Sequence, residues 1–505
     1  MEDKQWKKPE QPWSCYQVPP GGIREPQEYP AGPRELLFGA GILVLSMLLC
    51  NFVIYGGFNL GFALGSVLAV LCSSAYLMVS GRKLTLYSGS LLILNLFIAV
   101  GFARSDDDFV KFIMACFLFA SGNLGLTLLA GKQRHAPEGF GTLADVFYTA
   151  VVRSLNLAVP FAGLRTAFQK SGAAAKKGGA VFVGLLIAAP LLLVMVFLLM
   201  RADAAFEGLI DMLPEFHGSE LFVTVFFGVI LACLLYSRGT GLCHSQETNL
   251  NSVRRKGINP LTVNTVLIAV CVVYLVYLFS QLAYFSGGFA GILPQGYTLA
   301  EYARRGFFEM AWLCAINLGI IGLSVGLVEK KEGTPMLTKL LCLFICVITV
   351  FFVAAASGKM FLYIGSYGLT RLRVLTQVIM LFLCVTTVLI ALWLFIPKFP
   401  YMKCIIIVAL VIGAVVFWAD VDTVVARYNV NAYLSGSLES MDMSHLSSLG
   451  SAAVPYIAEL TENATDVFVA NQAKDVLEYW WIAQPEDFRG WNYIRHIAEP
   501  FLVKE

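Results

Sequence analysis

A chain of 505 residues that is 58% hydrophobic and only 14% charged, with a mean hydropathy of +0.71, is too apolar for a soluble globule. Its net charge of +2 is scattered through short loops rather than gathered in one stripe, which gives no reason to expect nucleic acid as a partner. The expected fold is an all-α polytopic membrane bundle, with the lipid bilayer as its environment and a small helical tail at the C-terminus.

In chain order, residues 1–35 are polar and Pro-rich (PEQPW, VPPGG, YPAGP), have little to bury, and read as a disordered leader without a cleaved signal peptide. About eleven apolar stretches long enough to cross a bilayer follow. They lie near 36–54, 58–80, 84–103, 109–131, 179–200, 219–237, 262–286, 307–328, 336–356, 372–396 and 402–420. Residues 36–131 form a block of four spans with short connections, and 179–425 a core of seven. Between them lies the segment 132–178, in which 141–170 opens with a T-x-x-D cap (Thr142, Asp145), carries Arg153 and Arg165, and is broken at Pro160, as expected of an interfacial helix. Residues 426–505 form a soluble tail with helical spacing in SHLSSLGSAAVPYIAEL and TDVFVANQAKDVLEYWWIA.

Lys and Arg set the orientation, because positive charge is retained on the cytoplasmic side. An inside N-terminus places twenty-three of them in cytoplasmic segments and eight on the opposite side, the tail left aside. Eleven crossings then put the tail outside. The twelve cysteines show no CxxC and the five histidines no HxxxH, so no metal site is expected. Walker A, dinucleotide-loop and G-x-S-x-G patterns are missing too, and no cofactor is expected.

Candidate site residues come from charged or polar groups delivered to one depth at the outer side. GYTLAEYARRGFFEM (296–310) sets Glu301, Arg304, Arg305 and Glu309 in front of a span, where each charge is costly unless it is interfacial, paired or bound to a ligand. Glu301, Arg305 and Glu309 alternate in sign at i, i+4, and Thr298 with Glu301 makes a capping box. A capped interfacial ion-pair ladder and a ligand site are both open. MFLYIGSYGLTRLRVLTQ adds Tyr363 and Tyr367 in a loop, then Arg371 and Arg373 on different faces of the next span. Gln281 and Tyr284 end the seventh span, and Asp420 and Asp422 leave the last one. Lys111 is expected to snorkel outward, and Asn95, Asn123, Asn264 and Asn317 to hydrogen-bond between helices.

YTLAEYARRGFFEM, LYIGSYGLTRLRV, the NP at 259–260 and ARYNVNAYL resemble the bacterial membrane family designated domain of unknown function 4173, related to 4153. The likeness runs over roughly 140–505. It implies a polytopic bacterial membrane protein with an outward tail and brings no activity with it. Three functions compete. The first expectation is binding or transport of an anionic or zwitterionic solute or lipid headgroup, held by Arg371, Arg373 and Arg305. A sensor or assembly partner would act through a protein partner at 426–505. An outer-face transferase using a lipid-linked donor would need Glu309, Asp420 or Asp422 as base, and is the least favoured.

Overall fold

The computed structural model describes residues 32–134, 141–156, 159–163, 218–244, 257–288, 307–329, 333–480 and 487–502, with isolated positions between 184 and 201. Among the described residues the fold is all helical, and backbone pairing outside helices is one isolated bridge between Ile258 and Val328. Nine helices among them are long and apolar enough to cross a membrane, and a tenth, Leu86–Gly101, is apolar but shorter. They correspond to ten of the eleven expected spans. The other, at 179–200, lies almost wholly outside the described residues.

The first lobe contains α1 (Pro33–Gly56), α2 (Leu60–Val79), α3 (Leu86–Gly101) and α4 (Asp108–Ala130). A short α5 (Gly141–Phe147) runs into a π-helical turn, Tyr148–Arg153, and α6 (Gly218–His244) packs along α1. Local chemistry starts these helices where the sequence allows. Thr85 and Ser88 close a reciprocal capping box at α3, and Asp107 accepts the amides of Phe109 and Val110 at α4.

The second lobe contains α7 (Pro260–Gly288), α8 (Phe307–Leu327), α9 (Met336–Tyr367) and α10 (Arg371–Phe395), around Leu267, Cys314, Ile345 and Phe352. The last long helix, α11 (Tyr401–Ala419), joins the lobes. Its Leu410, Ala414 and Phe417 pack into the first lobe, while Tyr401 and Met402 belong to the core of the second. Gly101 lets α3 approach α11, since a Cβ there would lie 2.8 Å from the Phe417 ring.

Lipid tails are as apolar as Leu, so helices in a membrane are held by close packing and interhelical hydrogen bonds rather than by burial. The four intramembrane asparagines do this as expected. Asn95 accepts from Ser121, Asn123 from Arg238 and Asn264 from Thr338, while Asn317 joins Tyr274 to Thr349.

One correction concerns α9. Tyr363 and Tyr367 sit on its last turns, not in a loop, because nothing breaks the helix before Gly368 turns left-handed at φ 73°. At 32 residues α9 is longer than the ~20 a bilayer requires. The tail stacks beside it: α12 (Val421–Leu434), α13 (Met443–Ser447), α14 (Val454–Asn463), α15 (Val467–Glu478) and α16 (Tyr493–Ala498). Val454, Ile457 and Leu460 on α14 and Val469 and Ala473 on α15 turn inward at helical spacing. Their core is shared with Leu375 of α10 and Val416 of α11.

Candidate functional site

The polar groups at the tail-bearing end form a continuous interlock between the membrane helices and the tail. Its pivot is Asp420, which caps both α11 and α12 with a backbone at φ 55°. A left-handed conformation costs an ordinary L-residue about 1–2 kcal/mol, and Asp tolerates it best because its carboxylate bonds locally. Here that carboxylate accepts from the Thr423 amide (3.1 Å), the Thr423 hydroxyl (2.6 Å) and the Ser105 hydroxyl (3.2 Å).

Two residues on, Asp422 receives the Arg371 guanidinium in a two-point contact, with Nη2 at 2.6 Å from Oδ2. Asp107, from the α3–α4 loop, lies 3.5 Å from the same guanidinium. Arg371 thus fastens three segments that are far apart in sequence. Both carboxylates are buried, whereas the Arg371 side chain keeps 41% exposure. Burial, with the Asp107 and Asp420 carboxylates adding to it, pushes the Asp422 carboxyl up to about 6 despite the opposing pull of Arg371.

A second fastening uses Asn429 of α12. Its Oδ1 accepts from the Leu369 amide at 2.6 Å and its Nδ2 donates to the Leu369 carbonyl at 2.9 Å, so it pairs with the α9–α10 turn as a strand would. Gly368 is required there, because a Cβ would lie 2.7 Å from Asn429 Oδ1 and the backbone is left-handed. Gly368→Ala is expected to lower stability by about 1–3 kcal/mol through strain and displacement of Asn429, read as a fall in melting temperature in detergent. Unchanged melting would show that α12 is not fastened to this turn.

The third fastening ties the tail's end to the first two interhelical turns on this side. Arg495 donates to Asp106 at 2.8 Å, and Asn492 donates to the Ser105 carbonyl at 2.6 Å. The Tyr493 amide donates to the Ala103 carbonyl, and the Leu60 amide to the Trp491 carbonyl. Beneath them lies Lys111, whose Nζ donates to Asn59 Oδ1 at 2.8 Å and stands 3.9 Å from Asp106 and Asp108. This corrects the expected outward snorkelling: the Lys111 side chain is 1% exposed. The tail covers it, and sequence depth alone carried no sign of that cover.

The sequence candidates therefore divide. Arg371, Asp420 and Asp422 converge. Arg373 turns to its own helix start, donating to the Tyr367 and Gly368 carbonyls with its guanidinium 4.2 Å over the Tyr363 ring. The Tyr363 and Tyr367 rings lie 5.1 Å apart, tilted by 51° to each other, and Tyr367 is exposed. Glu309 is an exposed residue in the first turn of α8, and its charge acts on Lys359. Gln281 and Tyr284 fall in the last turns of α7. Glu301, Arg304 and Arg305 lie outside the described residues. Missed by the sequence reading were Asp106, Asp107, Asn59, Asn492 and Arg495; the run SDDD at 105–108, three carboxylates between two spans, was the available signal.

Among known proteins, the family described as "Domain of unknown function (DUF4153)" matches residues 92–460, taking in α4, the second lobe and most of the tail's core. No curated protein and no solved structure matches the chain.

Proposed function

The chain belongs to the DUF4153 family of unknown function, and from that premise we propose that it is an integral membrane sensor or assembly partner working through its helical tail. The observation that carries this is the use of the polar groups at the tail-bearing end. Arg371, Asp422, Asp107, Asn429, Lys111 and Arg495 are engaged in holding tail to bundle. A tail held at three places transmits a displacement of α3, α4, α9 or α10 to α12–α16, and the reverse. In this reading the protein lies in a bacterial plasma membrane with its N-terminus inside and its tail outside, as the Lys and Arg distribution favours. A protein partner meets the tail on the side where Val467, Phe468 and Tyr479 are exposed.

The exposed edge of the interlock favours a second reading. Arg371, at 41% exposure, leaves room for an anionic or zwitterionic solute or headgroup to compete for the guanidinium. One experiment separates the two. Small molecules and lipids co-purifying with the wild type in mild detergent are compared with those of Arg371→Gln at matched folded yield, alongside photo-crosslinking from position 468. Identical small-molecule profiles with a discrete protein adduct from position 468 are expected. A solute kept by wild type and lost from the folded variant would replace the proposal with the ligand reading.

A further inference from the structure

Docking the tail brings two carboxylates to one N–H. Arg371 Nε is in contact with Asp422 Oδ1 and lies 3.5 Å from Asp107 Oδ2, so those two oxygens are within about 6 Å of each other. Asp107 comes from the α3–α4 loop and Asp422 from the first turn of α12, and both side chains are buried. Asp107 is held in place by its other oxygen, which accepts the Phe109 and Val110 amides at the start of α4. One guanidinium thus serves two buried carboxylates, and a proton on one of them removes the excess negative charge.

Among the described residues, the neighbouring charges leave that excess in place. Asp420, at the α11–α12 junction, adds a third carboxylate, whose oxygens accept from Thr423 and Ser105. Lys111 of α4 interacts with Asp420 but donates to Asn59 and lies beside Asp106 and Asp108. Arg495 of α16 donates to Asp106. On α14, Tyr456 faces Asp420, with Arg427 of α12 and Glu459 also acting on its phenol. His445 of α13 acts on Asp442, and the Ser448 carbonyl after it accepts from Arg371 Nη2 at 3.4 Å.

The tail leaves the bundle at Asp420, whose backbone turns at φ 55° between α11 and α12. Lifting α12 about that corner carries Asp422 away from Arg371 and Asp107 into water. Docked, burial and the two neighbouring carboxylates hold the Asp422 carboxyl at about 6; lifted, it returns to the ordinary 3.8. Docking therefore takes up a proton between those values. That contribution favours the docked state in acid and is lost as pH rises through about 6.

We propose that Asp422 and Asp107, sharing one N–H of Arg371, make the docking of the tail proton-controlled, with acidification tightening the tail on the bundle. The proton goes to Asp422, and Arg371 is left to Asp107. This names the signal to which the tail responds, and it rests on the tail being the working part of the protein.

Two amides at the seam are bonded only while the tail is docked: Leu369, to Asn429 Oδ1, and Tyr493, to the Ala103 carbonyl. Hydrogen exchange at both is measured on the full-length protein in nanodiscs at about pH 5 and about pH 7.5, each rate being divided by the intrinsic rate of that amide at the same pH. Protection is expected to be about tenfold higher at the acidic value. Asp422→Asn should bring that ratio close to one. Asp107→Asn, which keeps a capping side chain at α4, should lower it, and keeps the test open if Asp422→Asn fails to fold. A ratio near one in the wild type, or the wild-type ratio retained in either folded variant, would overturn the proposal. Photo-crosslinking from position 468 at both pH values distinguishes the two ideas. A protein adduct with pH-independent protection would sink the proton control alone, whereas pH-dependent protection without an adduct would sink the partner and leave the proton control standing.

Discussion

Arg371→Ala is expected to lower the stability of the folded protein by about 2–3 kcal/mol near neutral pH, and the loss is expected to shrink on acidification. Removing one partner of a fully buried ion pair costs about 3–5 kcal/mol, and the 41% exposure of the Arg371 side chain lowers that toward the smaller figure. The variant leaves Asp107, Asp420 and Asp422 together without the guanidinium that separates them. The pH dependence follows from Asp422, whose carboxyl is raised from 3.8 to about 6. Between those values the native state holds a proton that the unfolded state has released. The contribution of Asp422 to stability is therefore greatest below about pH 4, falls as pH rises toward about 6, and stays low above it. Without Arg371 the native carboxyl rises further, and the window widens upward. Melting curves of wild type, Arg371→Ala, Asp422→Asn and the double variant at about pH 5 and about pH 7.5 test this. Asp422→Asn should flatten the pH dependence and recover part of the Arg371→Ala loss. If Arg371→Ala melted like wild type at both values, the pair would contribute nothing to the interlock.

Those residues also mark how far the sequence could be read. The bundle was legible because apolar stretches of membrane length are set by composition and need no partner to be recognised. The interhelical asparagines were legible for a related reason: an amide inside a membrane has few fates, and each found a donor or acceptor on a neighbouring helix. Arg371, Asp420 and Asp422 could be placed at one depth, but depth leaves rotation about each helix axis open. The pairing across 51 residues, and the third partner on the α3–α4 loop, come from how α11 sits between the lobes. Tyr363 and Tyr367 were misplaced into a loop because bilayer thickness was taken as the length of α9, while helix length is set by the first residue that breaks it. The candidates at Glu301, Arg304 and Arg305 lie outside the described residues.

The α3–α4 loop shows why the larger part of the interlock stayed hidden. Asp106 meets Arg495 across 389 residues and Ser105 meets Asn492 across 387, so nothing local relates them. A run of three aspartates between spans reads as a solvated turn with a helix cap, and Asp107 does cap α4. The same run becomes a dock once Arg371 and Arg495 reach it from either side.

Lys111→Ala carries the second large effect, because the change removes both a charge and a filled volume from under the tail. The side chain is 1% exposed, and its Nζ is the donor that meets Asn59 Oδ1, which also accepts from Asn492. A cavity of this size and one lost charged hydrogen bond together cost about 3–5 kcal/mol. The loss is expected to fall on the tail's attachment first, since Asp106 keeps Arg495 but loses the ammonium beneath it. Protease sensitivity and amide exchange should therefore rise over residues 487–502 before the bundle melts, with α12 remaining protected by Asn429 and Arg371. Lys111→Met separates the causes: it fills the volume without the charge, and recovering stability without recovering protection of 487–502 would identify the ammonium as what fixes the tail's end. If protection stayed at the wild-type level in both variants, Lys111 would be a passive buried charge, and the end of the tail would be held by Arg495 and Asn492 alone.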